Sequence, residues 1–217
     1  MIRAVIFDMD GLLIDSEPLW SRAESRVLAT VGIPSAEILA ADTTGLRTEE
    51  TVAFWYARHP WPAPAKADIA AQIDAMVISL IKERGTAKDG VPELFDLCDS
   101  LHLQMAIASS SSIEIIRAVV AKLGIGRRLQ VVHSAETEQF SKPHPAVYFT
   151  TARELGVGPD QCLVFEDSAN GVAAAKKAGM YCIAVPAPQQ RADKRFDIAD
   201  LVVGSLDEVT VAMLQSF

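Results

Sequence analysis

The chain has 217 residues, half of them hydrophobic, and a formal net charge of -8. That is enough apolar material for one large core, or a core with a smaller insert, and the negative balance argues against a nucleic-acid or anionic-membrane surface. No apolar run is long enough to span a bilayer, and Cys98, Cys162 and Cys182 are odd in number and outside any Cys-x-x-Cys spacing, so reduced thiols are expected, with neither a disulfide framework nor a zinc site.

In chain order, residues 4–7 form an apolar run of strand type that ends in Asp8-Met9-Asp10-Gly11. Only Met1-Ile2-Arg3 precedes it, which leaves no room for a signal peptide and points to the cytoplasm. A helix is predicted over 18–31, stopped by Gly32-Ile33-Pro34, and a short one through residue 41 with Ser35 as its N-cap. Residues 42–47 read as a loop, after which Thr48 is expected to cap a helix with Glu49 and Glu50 in its first turn. The Pro-rich run 59–64 is a stiff connector, and a long helix over 65–84 is closed by Gly85. Residues 16–85 thus hold no good strand and read as a helical block.

From residue 86 onward the pattern changes. Helices are predicted over 91–100, 112–122, 145–155, 168–178 and 206–214, and strands over 103–108, 131–133, 162–165, 181–185 and 199–203. Pro186 to Lys194 reads as an exposed loop. Strands and helices alternating across short Gly-marked turns signal an α/β fold of Rossmann-like type, a parallel sheet with helices on both faces. The expected division is residues 1–15 and 86–217 for this core and 16–85 for the inserted α-helical unit.

Each core strand leads to a chemically informative group. The first ends at Asp8 and Asp10, the second at Ser109 and Ser110, the third leads to Lys142, and the fourth ends at Glu166-Asp167. In a parallel sheet these ends converge on one edge, where open α/β sheets keep their ligand sites. Carboxylates suit a hard cation such as Mg2+, usually shared with a substrate phosphate. The lysine and the hydroxyls suit phosphate oxygens, and the helix starting near Ser112 can aim free N–H groups at the same anion.

These motifs, in this order and spacing over the whole chain, resemble the haloacid dehalogenase superfamily in its magnesium-dependent, capped sugar-phosphatase branch. Phe7-Asp8-Met9-Asp10-Gly11 is similar to its first motif, Ser109 to its second, Lys142 to its third and Glu166-Asp167 to its fourth; the block at 16–85 is similar to its cap. The resemblance implies a phosphatase acting on small sugar or hexitol phosphates through a phospho-aspartate. Asp8 would be the nucleophile and Asp10 the acid and base, with Asp10 facing Mg2+ through its backbone carbonyl. Asp8 and Asp167 would be side-chain metal ligands, Glu166 a direct ligand or a supporting residue, and Ser109, Ser110 and Lys142 phosphate contacts. Charge arithmetic fits those roles, since two unit charges at 4 Å repel by about 4 kcal/mol at an effective dielectric near 20, so a carboxylate attacking a phosphate dianion needs cations beside it. Arg47, in a Gly-containing cap loop, is the expected cap contact to the substrate.

Three other readings compete. A β-phosphoglucomutase-like mutase shares the chemistry, but in that family the position of Trp20 is implied to be a histidine. A dehalogenase would need neither the metal nor Asp10. An Asp-phosphorylated signalling domain would be much shorter and would lack the cap. His144 is expected to be packed or hydrogen-bonded, Trp20, Trp55 and Trp61 to be core aromatics, and the protein to be a monomer.

Overall fold

A computed structural model of the protein describes residues 1–41, 43 and 46–217. Six strands, β1 (Ala4–Phe7), β2 (Gln104–Ser109), β3 (Val131–Ser134), β4 (Cys162–Glu166), β5 (Tyr181–Ala184) and β6 (Leu201–Val202), form one sheet in the order β3-β2-β1-β4-β5-β6. All pairs are parallel. The order reverses direction beside β1, so the crevice at its C-terminal end lies between β1 and β4, where such sheets bind ligands.

Alternation along the strands divides the core in two. Val5, Phe7, Met105, Ile107, Leu163 and Phe165 belong to one buried cluster, and Ala4, Ile6, Ala106, Ala108, Cys162 and Val164 to the other. The first face is covered by α5 (Val91–Ser100) and α6 (Ile113–Leu123), with Phe7 stacked on Phe95 at 4.8 Å between ring centroids. The second, lined by smaller side chains, takes α7 (Ala146–Leu155) and α8 (Ala169–Lys177), and the fully buried Tyr148 fills the space the alanines leave. Strands buried on both faces are continuous apolar runs for this reason.

Between β1 and α5 the chain forms α1 (Glu17–Ala29), α2 (Ser35–Ala40), α3 (Thr48–Arg58) and α4 (Lys66–Arg84), with no strand among the described residues. Two extended passages join this block to the sheet. Asp15 N–H donates to the Thr86 carbonyl at 3.0 Å and Lys88 N–H to that of Leu13 at 3.1 Å, so the outgoing and returning chain are paired across the junction. No helix is long and apolar enough to cross a membrane among the described residues.

The element ends refine several expectations. Pro34, not Ser35, holds the N-cap position of α2, because its fixed φ suits an extended cap. Arg47 takes that position in α3, and the Thr48 hydroxyl donates instead to Asp74 of α4 at 2.6 Å. The helix expected over 206–214 is a 3-10 turn at Leu206–Glu208 followed by α9 (Val211–Gln215), because Thr210 restarts the chain by accepting the Met213 N–H. The loop expected at 186–194 contains a further 3-10 turn at Pro188–Gln190. Of the loop expected at 42–47, Asp42, Thr44 and Gly45 lie outside the described residues. The three cysteines are free and buried, and burial pushes the Cys98 and Cys162 thiols up to about 12.

Candidate active site

Asp8 follows β1 and Asp167 follows β4, two adjacent strands paired Phe7 to Phe165. The Asp8 N–H donates to the Phe165 carbonyl at 2.9 Å, which continues the ladder one residue past β1 and fixes the carboxylate at the crevice. Carboxylate oxygens of Asp8, Glu166 and Asp167, all buried, lie within 4.8 Å of one another.

Lys142 reaches the same point from the segment between β3 and α7. Its ammonium donates to Asp8 Oδ1 at 2.6 Å, to Glu166 Oε1 at 2.7 Å and to the Ala108 carbonyl at 3.1 Å. Glu166 is fully buried and saturated. Oε1 also accepts from the Tyr148 hydroxyl at 2.6 Å, and Oε2 accepts from the Ser168 N–H and hydroxyl at 3.1 and 3.0 Å. Ser168 in turn accepts the Gly171 N–H and so caps α8. Two glycines make room for these carboxylates. A Cβ on Gly171 would fall 1.7 Å from Glu166 Oε1, and one on Gly11 would fall 2.1 Å from Asp167 Oδ2, at a φ of +77° that side chains also avoid.

Burial pushes the Asp8 carboxyl up to about 7 against the opposing pull of Lys142. Burial, joined by Asp8 and Glu166, also raises Asp167 well above the usual carboxylate range. Burial works to lower the Lys142 ammonium, but Asp8 and Glu166 outweigh it and hold the group above an ordinary lysine. With one cation among three buried carboxylates, the cluster is short of positive charge. Asp167 has no hydrogen-bond donor among the described residues.

Asp10 stands apart from this cluster. Its Oδ1 accepts from the Trp20 indole N–H at 2.9 Å and its Oδ2 from the Ser111 hydroxyl at 2.6 Å. Ser111 is oriented by its own N–H, donated to Ser109 Oγ at 3.1 Å, and by the Ser134 hydroxyl, which donates to its carbonyl at 2.6 Å. The Ser110 hydroxyl is buried with no partner among the described residues. The first N–H of α6, expected to face an anion, is taken by Glu136 through Ile113 N at 3.2 Å.

A cavity of about 270 Å³ opens above these groups, and Asp8, Asp10, Ser109, Ser110, Lys142 and Asp167 line its floor. Residues of α1, α2 and α3 close the opposite side.

Residues 2–179 match the family model described as haloacid dehalogenase-like hydrolase. The chain is 43% identical over 210 residues to Hexitol phosphatase B of Escherichia coli (strain K12), covering 96% of this chain and 95% of that protein. The chain belongs to the haloacid dehalogenase-like hydrolases. Among other relatives of this hydrolase, Hexitol phosphatase A of the same strain is 32% identical over 96% of this chain and 94% of its own length. The crystal structure of CbbY from Rhodobacter sphaeroides in complex with phosphate superposes with a TM-score of 0.86 at 28% identity, covering 99% of this chain and all of that one. A β-phosphoglucomutase from Clostridium difficile superposes with a TM-score of 0.85 at 25% identity, over all of this chain and 96% of that one.

The hydrolase brings seven of the eight expected site residues to one place; Arg47 stands elsewhere. Its guanidinium donates to the Ala135 and Glu138 carbonyls at 3.2 and 3.1 Å and to Glu50 at 3.1 Å, and it does not line the cavity. Glu50 also accepts the Arg47 N–H, within the α3 cap, and the Ser141 hydroxyl; the Ser141 bond and the two carbonyl bonds of Arg47 tie α3 to the core beside Lys142. His144 is exposed; its Nδ1 accepts the Ala146 N–H, a local turn contact. Sequence reasoning missed Tyr148, Ser111, Glu24 and the space-making role of Gly11 and Gly171. For Tyr148 a signal existed, since a tyrosine on the buried face of a helix needs a hydroxyl partner, but nothing in the sequence named Glu166 as that partner.

Proposed function

We propose that this hydrolase is a phosphatase that releases phosphate from small sugar or hexitol phosphates, through a phosphoryl group carried on Asp8. The observation that carries the reading is the Lys142 ammonium wedged between Asp8 and Glu166 on the floor of the cavity, with the Asp10 carboxyl held separately by Trp20 and Ser111. One carboxylate is paired with a cation, as a nucleophile approaching an anion requires. The other is kept out of the carboxylate cluster and free to exchange a proton.

In the first step an Asp8 oxygen forms a bond to phosphorus while the bond from phosphorus to the sugar oxygen breaks, and Asp10 gives its proton to that leaving oxygen. In the second, water attacks phosphorus, Asp10 takes the proton, and the bond to Asp8 breaks. Lys142 offsets the charge that would repel the phosphate dianion. The unpartnered Ser110 hydroxyl is a ready donor to a phosphate oxygen. Ser109 supports the loop by accepting the Ser111 N–H.

The donor set fits Mg2+, which takes hard oxygen ligands. Asp167, buried and without a donor, and Asp8 would hold it together with the backbone carbonyl of Asp10. Glu166, with four donors already on its two oxygens, serves as the anchor of Lys142. When bound, the ion supplies the positive charge that the cluster lacks. Residues 16–85 act as a cap over the core of 1–15 and 86–217, shutting bulk water from the reaction. Reduced buried thiols suit a cytoplasmic protein, and we place it there, as a monomer.

A mutase is the second reading. The Trp20 indole on Asp10 occupies the position where the mutase resemblance implies a histidine, and this favours hydrolysis. A phosphate-release screen across sugar, polyol and nucleotide phosphates, with and without Mg2+, tests the proposal. Mg2+-dependent release from hexose or hexitol phosphates is expected; interconversion of sugar phosphate isomers without release would refute it.

A further inference from the structure

The α1 wall of the cavity is a stripe of one helix face. Glu17, Trp20, Ser21 and Glu24 follow the i, i+3, i+4, i+7 spacing and all four line the cavity. Trp20 sets the orientation of this face by donating to Asp10. Glu24 lies one turn farther along, about 6 Å from Trp20 in axial rise, a length that a chain of several carbons spans. Glu24 is half-buried and has no hydrogen bond or ion pair among the described residues. Burial pushes its carboxyl up to about 7, and no neighbouring charge or hydrogen bond enters that balance. Desolvating a carboxyl without a partner is unfavourable, so its place on a ligand cavity calls for a partner that arrives with the ligand. A second orphan points the same way. The Ser16 hydroxyl, on the same side of the cavity, is fully buried and unpartnered among the described residues.

Charge then limits what the ligand can be. Among the described residues lining the cavity, Lys142 is the sole cation, and Asp8 and Glu166 already occupy it. Arg47, the cap residue expected at the substrate, is turned onto the Ala135 and Glu138 carbonyls. The wall facing the substrate's far end offers carboxylates, hydroxyls and apolar side chains, with nothing among the described residues to neutralise a second phosphate.

We propose that Glu24 is the specificity-determining residue of the α1 wall: it exchanges hydrogen bonds with hydroxyls of an uncharged polyol or sugar, and it turns away substrates with a second anionic group. This rests on the phosphatase reading and narrows its substrate class to neutral-tailed monophosphates.

The test compares kcat/KM with Mg2+ for a hexitol 6-phosphate, a hexose 1,6-bisphosphate and p-nitrophenyl phosphate, in wild type, Glu24→Gln and Glu24→Ala. Wild type should prefer the monophosphate to the bisphosphate by about a hundredfold. Glu24→Ala should lower the ratio of hexitol phosphate to p-nitrophenyl phosphate by about tenfold or more, the worth of a hydrogen bond to a charged group, with Glu24→Gln, which can still bond hydroxyls, losing less. Equal wild-type use of bisphosphate and monophosphate would overturn the inference without recourse to any variant, and so would an unchanged ratio in both variants. Wild-type turnover of p-nitrophenyl phosphate with none of any sugar or hexitol phosphate would instead overturn the sugar- or hexitol-phosphate reading beneath it.

Discussion

The two walls of the cavity differ in how their polar groups are satisfied. On the core wall Lys142, Glu166 and Asp10 are tied into a network: three acceptors around one ammonium, four donors around one carboxylate, and a donor on each oxygen of Asp10, one of them Trp20 of α1; Ser110 and Asp167 are left open there among the described residues. On the α1 wall Glu24 and Ser16 have no partner among the described residues. Chemistry needs groups fixed before the substrate arrives, because misplacing a reacting group forfeits most of the rate. Selection needs groups that the substrate itself completes.

The largest change should follow from breaking the core network. Lys142→Ala removes the only cation among three buried carboxylates, and breaking a buried pair typically costs about 3–5 kcal/mol. A fall in phosphate release of about a thousandfold or more and a markedly lower melting temperature are expected, and near-normal turnover in that variant would show that the ammonium is not needed at Asp8. Gly11→Ala comes next. Its methyl group would displace the Asp167 carboxylate and strain the turn, so activity should drop about a hundredfold and stabilisation by Mg2+ should vanish, while circular dichroism shows the sheet intact. A melting temperature that still climbs with Mg2+ would place the ion elsewhere.

A smaller effect is expected from pH. The fold raises Asp8 to about 7 and Asp167 well above its ordinary value, so it favours their protonated forms. That contribution is full below the ordinary carboxylate range and is lost as pH rises through about 7. The metal-free protein should therefore melt at lower temperature at about pH 7.5 than at about pH 5. Mg2+ should restore the difference, by about 2.7 kcal/mol at a hundred times its Kd. A metal-free melting temperature that rises over this range would contradict the crowding of charge at the site. The smallest effect should come from Arg47→Ala, which loosens one tie between α3 and the core. KM should rise by about threefold, in line with a single modest interaction, and equally for every sugar phosphate. A reshuffled ranking of substrates would return Arg47 to the role its sequence position first suggested.

The core wall was legible in the sequence and the α1 wall largely was not, for a physical reason. Asp8, Ser109 and Asp167 each end or follow a strand within their own segment, and a parallel sheet brings such ends together whatever the loops do. Lys142 follows from its position between β3 and α7. The partners that tune them come from far along the chain: Ser111 meets Asp10 across 101 positions and Tyr148 meets Glu166 across 18, and no local spacing encodes either contact. The direction of Arg47 was not legible because a loop arginine can point either way, and here two carbonyls and Glu50 turn it toward the core. Glu24 escaped notice because a glutamate among charged helix residues looks solvated until the helix face it occupies is known.

The central claim is that Asp8 carries the phosphoryl group. Acid-quenching the enzyme during turnover of a hexitol phosphate with Mg2+, followed by mass spectrometry of the peptide spanning residues 4–15, tests it most directly. One added phosphoryl group on Asp8 is predicted, absent in Asp8→Asn, which should also release no phosphate. Steady phosphate release with that peptide unmodified, undiminished in Asp8→Asn, would contradict it.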